Sequence, residues 1–172
     1  LVTDGLPGLA LAVEPGERGT MSRPPHLPGE HVLGRGMSID IVWIGLLMGS
    51  VSLVAGWWFH GDGSGPDSHW RTAVFTVLTM SQMGNALACR AERDSLLAIG
   101  VFSNPTLIGA VLLTLALQLA VIYLPPMQTL FRTEALSIVE LIGCLALSTT
   151  VFFAVEMKKV IFKASRPALP RS

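Results

Sequence analysis

Asp4 is a carboxylate in an opening segment, 1–13, that is otherwise almost wholly apolar and begins Leu-Val-Thr-Asp-Gly-Leu-Pro. Near the centre of a bilayer a carboxylate costs about 2.5–3.5 kcal/mol on insertion scales, so it persists where it faces a partner, a cavity or an ion. Pro7 has no backbone N–H, and in a helix the carbonyl of Thr3, four residues earlier, therefore loses its usual donor. With Gly5 loosening the same turn, Thr3 presents a carbonyl or hydroxyl oxygen beside Asp4, the kind of ligand that hard cations such as Ca²⁺, Mg²⁺ and Mn²⁺ take. An Asp at the membrane interface, solvated by water, is the competing account.

A second set of polar groups recurs at helical spacing. Thr72, Thr76, Thr79, Gln82 and Asn85 fall at i, i+4, i+7, i+10 and i+13, on one side of a helix. Threonines satisfy themselves on their own backbone, but the amides of Gln82 and Asn85 need a neighbouring helix, water or an ion once they are in lipid. Interhelical hydrogen bonding and cation coordination both meet that need. Gln118 and Glu140 are weaker candidates, Glu140 because it falls near an outer helix end where water solvates it.

The elements that must carry these groups are membrane helices. Apolar residues make up 51% of the 172 positions and charged residues 14%, with mean hydropathy +0.56. Soluble domains carry about 25% charge, so this chain has too little to cover a water-facing surface. Its zero formal net charge argues against a nucleic-acid partner. Four stretches, 41–59, 72–88, 106–124 and 135–155, approach the roughly 20 apolar residues that a spanning helix needs. Segment 1–13 reads as the end of a further, truncated spanning helix. The expected fold is thus all-α: a polytopic membrane helix bundle with four full spans and the tail of a fifth. Its divisions are 1–13, a cytoplasmic loop at 14–37 rich in Pro and Gly, a four-helix membrane domain at 38–164, and a cytoplasmic tail at 165–172. No Lys or Arg precedes Arg18, which argues against a secretory signal. Cys89 and Cys144 suggest neither a metal pair nor a disulfide framework. Along the first full span Gly45, Gly49, Ser52 and Gly56 place small residues on one face, which predicts a close helix contact.

Leu-Val-Thr-Asp-Gly-Leu-Pro at Leu1 to Pro7, followed by Met-Ser-Arg-Pro-Pro at Met21 to Pro25, resembles the sixth membrane helix and following loop of P-type cation pumps of the calcium-transporting branch. Gln-Met-Gly-Asn-Ala-Leu at Gln82 to Leu87 is similar to their eighth helix. Phe-Ser-Asn-Pro ahead of the third full span and Glu-Met-Lys-Lys at the close of the fourth resemble helices nine and ten. The resemblance implies that Thr3 and Asp4 are cation-site positions. It sets Gln82 where two-site calcium pumps carry a glutamate, so Gln82 is an auxiliary neutral ligand, with Asn85 beside it. The loop after helix six is usually acidic in the family; here Glu17 remains, while Gly19 and Ser22 stand near positions that are often acidic.

The resemblance further implies an ATP-driven transporter of Ca²⁺, or next Mn²⁺, whose parent uses ATP and Mg²⁺ through actuator, phosphorylation and nucleotide domains. The Asp-Lys-Thr-Gly phosphorylation motif does not occur in these 172 residues, so no catalytic residue and no cofactor site are expected in this chain. A truncated pump is the simplest account of a chain without an initiator Met. The alternative is a small standalone membrane protein, acting as a passive channel, a pump partner or a regulator.

Positive residues set the expected orientation. Arg18, Arg23, Arg35, Arg90, Arg93, Lys158, Lys159, Lys163, Arg166 and Arg171 fall on one side of the four spans, against Arg71 and Arg132 on the other. The loop after the second span and the C-terminus are therefore expected in the cytoplasm, in a bacterial inner membrane given the short loops. A cysteine introduced at Gly63 should react with an impermeant reagent from the outer face; labelling from the cytoplasmic face alone would reverse this orientation.

Overall fold

The computed structural model describes residues 2–13, 37–61, 69–90 and 104–164, and these are all-helical with no strand among them. The helices are α1 (Val2–Ala12), α2 (Met37–Gly61), α3 (His69–Ala88), α4 (Pro105–Tyr123), the short α5 (Pro125–Phe131) and α6 (Ile138–Ala164). The readings of a cytoplasmic loop at 14–37, most of the outer loop after the first span, and a cytoplasmic tail at 165–172 fall outside the described residues.

Local sequence explains the helix ends. Asn104 adopts an extended backbone and its Oδ1 accepts the Leu107 N–H at 3.0 Å, while Pro105 starts α4 where its missing N–H costs nothing. Pro125 and Pro126 start α5 in the same way, and Arg132 closes it in the left-handed conformation (φ 53°). At the head of α6 the Ser137 N–H donates to Glu140 Oε2 at 2.6 Å and the Glu140 N–H donates to Ser137 Oγ at 3.3 Å. This reciprocal pair is a capping box, so one Glu140 oxygen serves the helix start.

Among the described residues three helices, α2, α4 and α6, are long and apolar enough to cross a membrane. They turn large apolar side chains outward, among them Ile39, Leu46, Leu53 and Trp57 on α2 and Ile138, Val139 and Phe153 on α6. Outward apolar surface on this scale suits hydrocarbon. The second expected span corresponds to α3, which has the length of a span but carries the polar groups of the sequence pattern and is not among the three.

Helix α3 is the hub, packing against α1, α2, α4 and α6. It runs parallel to α6 with a constant offset: His69 meets Glu140, the Ala73 carbonyl meets Cys144, and the Ala88 carbonyl accepts from Lys159, each pair 71 residues apart. Helix α2 runs antiparallel to α6, held at one end by the Lys158–Asp40 ion pair and at the other by Phe59 against Gly143. Ala55, Ala73, Val77, Ile122, Leu136 and Cys144 form the core where these helices meet.

The small-residue face of α2 divides in two. Ser52 and Gly56 are buried, and a Cβ on Gly56 would lie 2.9 Å from Val74 Cγ2 of α3. Gly45 and Gly49 have nothing within 4 Å of the corresponding point, so the close contact is local to the C-terminal half of the helix. Gly56→Leu should therefore destabilise the protein by about 1–3 kcal/mol through overpacking, whereas Gly45→Leu should change stability by less than about 0.5 kcal/mol. Thermal unfolding in detergent micelles checks both; equal effects would show that the α2–α3 contact is not the tight one.

Candidate cation site

The polar face of α3 is used in two different ways along its length. Near its start the groups bond to other elements. Thr72 Oγ1 accepts the Glu134 N–H at 3.0 Å, and Thr76 Oγ1 donates to the Thr72 carbonyl at 2.7 Å while accepting from Gln118 Nε2 of α4 at 3.2 Å. Thr72, Thr76 and Gln118 are all buried. This upper half is an interhelical hydrogen-bond network, and it absorbs Gln118. Glu140 is likewise engaged, by its capping box and by His69 Nδ1 at 3.3 Å.

Near the end of α3 the same face opens on space. Gln82 and Asn85 line a cavity of about 230 Å³ together with Ala86 and Cys89, with Met48 of α2, and with Pro7, Gly8 and Leu11 of α1. Both amides are half-buried. Asn85 Oδ1 accepts from Cys89 Sγ at 3.4 Å, and the Asn85 carbonyl accepts the Cys89 N–H at 2.8 Å. The Ala88 carbonyl, at the last turn, accepts from Lys159 Nζ, which also sits 3.2 Å from Glu156 Oε1. Lys159 thus anchors the α3 end that carries Asn85.

Asp4 stands three, four and seven residues before Pro7, Gly8 and Leu11 on α1, and by helical register it shares their face. Pro7 lies inside α1, so the Thr3 carbonyl has no proline N–H to accept. The side chains of Thr3 and Asp4 are outside the described residues. Of the four sequence-predicted site residues, Gln82 and Asn85 are brought together on one cavity, and α1 sets its Pro7 face against them. Sequence reasoning missed Cys89 as part of this wall. Its spacing of seven from Gln82 and four from Asn85 was the available signal.

The described wall offers neutral oxygens. Among the described residues no three His, Cys, Asp or Glu side chains come together as a metal cluster. A divalent cation in an apolar setting needs compensating negative charge, which the amides of Gln82 and Asn85 cannot supply.

A sequence model of the family described as "Cation transporting ATPase, C-terminus" matches residues 1–161. The chain belongs to this family. Its relatives include "Calcium-transporting ATPase type 2C member 2" of Mus musculus, 33% identical over 175 residues that cover 99% of this chain and 18% of that protein. "Calcium-transporting ATPase" of Bacillus subtilis is 36% identical over 137 residues, 80% of this chain and 15% of that protein. "Calcium-transporting ATPase 1" of Yarrowia lipolytica is 32% identical over 170 residues, 95% of this chain and 18% of that protein. The chain therefore spans under a fifth of the length of these relatives. Membership of this family, with the apolar helices, makes the chain a multi-pass integral membrane protein.

The division of α3 into a bonded half and an open half separates Gln118 from Gln82 experimentally. Gln118→Leu removes a bond whose acceptor, Thr76, keeps the Thr72 carbonyl as a partner, so the cost should be about 0.6 kcal/mol. Thermal unfolding measures it; a loss several times larger would mean that Gln118 holds more than this one contact.

Proposed function

We propose that this cation-transporting ATPase domain forms the C-terminal membrane part of an ATP-driven pump for a divalent cation, Ca²⁺ with Mn²⁺ next, and contributes part of its ion site. The observation that carries the reading is the cavity between Gln82 and Asn85 on α3 and the Pro7 face of α1, on whose register Asp4 lies. Asp4 supplies the charge that offsets the cation's lost water. Thr3 adds an oxygen released by Pro7, Gln82 is an auxiliary neutral ligand, and Asn85 holds the α3 wall beside it. The relatives' printed names support Ca²⁺ as cargo.

In this reading α3 also spans the membrane, which brings the full spans to four, and α1 belongs to a further one. The segments 14–37 and 165–172 are cytoplasmic, and the membrane is a bacterial inner membrane. ATP and Mg²⁺ act on actuator, phosphorylation and nucleotide domains with which this chain works; the chain itself contributes part of the cargo site.

In the complete pump, Asp4→Asn should abolish cation-dependent phosphorylation, while Gln82→Ala should lower apparent cation affinity about tenfold or less, the loss of one neutral ligand. Equilibrium binding of radioactive Ca²⁺ and Mn²⁺ should count one ion per pump. Two ions bound, both lost on Gln82→Ala, would overturn the assignment of charge to Asp4 alone.

A further inference from the structure

At the end of the bundle remote from the Gln82 cavity, His69 stands between two carboxylates that come from different elements. Its Nε2 lies 3.2 Å from Glu134 Oε2, in the connection after α5, and its Nδ1 lies 3.3 Å from Glu140 Oε1, in the first turn of α6. Two further bonds tie the cluster to the fold: Glu140 Oε2 accepts the Ser137 N–H, and the Glu134 N–H donates to Thr72 one turn along α3 from His69. All three side chains keep between 25% and 34% exposure, so the cluster is open to water.

Hydrogen-bond valence makes this arrangement depend on a proton. An ionised carboxylate only accepts, and a neutral imidazole has a single N–H, so it can serve one of the two glutamates while turning a lone pair on the other. The imidazolium serves both. We propose that His69, Glu134 and Glu140 form a proton-operated latch that ties the start of α3 to the start of α6. With the imidazole protonated the latch is closed; with it neutral, one of the two contacts is lost and becomes repulsive. Because α3 and α6 hold a constant register along their whole length, the latch sets the outer end of that pairing.

The other charged and titratable groups described at this end have contacts of their own. His60 of α2 packs edge-on to the Trp70 ring, and Arg71 of α3 lies over that same ring at 5.5 Å. Arg132 closes α5, and Tyr123 of α4 donates its hydroxyl to the Leu136 carbonyl. Asp62 and Asp67 belong by sequence to the neighbouring loop, outside the described residues.

The test uses hydrogen–deuterium exchange on the purified chain in detergent, at pH 5.5 and pH 8.5, with rates corrected for intrinsic exchange. Amides of the segment 134–142 should be about tenfold better protected at the lower pH, as loss of one charge-assisted bond implies. His69→Gln should remove the difference, and Glu134→Gln, which spares the capping box of α6, should reduce it by at least half. Should His69→Gln not fold, the wild-type and Glu134→Gln profiles decide. Equal corrected protection at the two pH values in the wild type, a pH dependence that persists in His69→Gln, or one that is undiminished in Glu134→Gln, would overturn the latch. None of these outcomes bears on the cation site, since the readout requires neither ATP nor a bound ion.

Discussion

A helix carrying Thr72, Thr76, Thr79, Gln82 and Asn85 on one face can reside in hydrocarbon only if other helices, water or an ion meet its polar groups, because lipid meets none of them. Most of the described architecture follows from that demand on α3. It occupies the centre of the bundle, with α1, α2, α4 and α6 around it. Most of the outward apolar surface falls to α2, α4 and α6, the helices among the described residues that are long and apolar enough to span. Where a partner group reaches α3, as Gln118 reaches Thr76, the polar face is closed. At Gln82 and Asn85 the same face lines a cavity.

The two ends of the α3–α6 pair are held by charge and its middle by close packing. His69 with Glu140 marks one end, and Lys159 on the Ala88 carbonyl marks the other. Lys159 is suited to its place, since a cation at the end of a helix meets carbonyls that have no amide partner. Between these ends Cys144 and Ala73 are fully buried, and small side chains allow the helices to approach. The same economy holds for α2, where Gly56 meets Val74 while Gly45 faces open space. One edge of α3 is thus rigidly framed, and the edge toward α1 is left for the cavity.

Much of this was legible in the sequence, because hydropathy and helical period act locally. The apolar runs marked the helix ends to within a few residues, except that α6 continues nine residues past the expected 155; the threonine–amide series marked the polar face of α3, and the Pro7 segment marked α1 as chemically unusual. The short helix α5 was not expected. Its start is written in Leu-Pro-Pro, which also reads as a simple turn, and its end depends on Arg132 adopting a left-handed conformation that composition does not announce. The small residues of α2 pointed to a close contact, but period alone could not say which half of the face meets a neighbour.

What the sequence by itself determined is the set of residues that cannot be left alone in lipid: Asp4, Gln82, Asn85, Gln118 and Glu140. Which of them are satisfied by protein and which face space was decided by the tertiary structure. Gln118 and Gln82 have the same side chain and comparable apolar surroundings in sequence, yet one donates to Thr76 and the other lines a cavity. The difference lies in the 42-residue separation between Gln118 and Thr76, a contact that exists only once α3 and α4 are packed. Glu140 likewise has a helix-end position readable from hydropathy, whereas its contact with His69, 71 residues away, follows from the parallel register of α3 and α6. Local free energies choose the helices; the partners of their polar groups come from helix–helix register, which no single segment encodes.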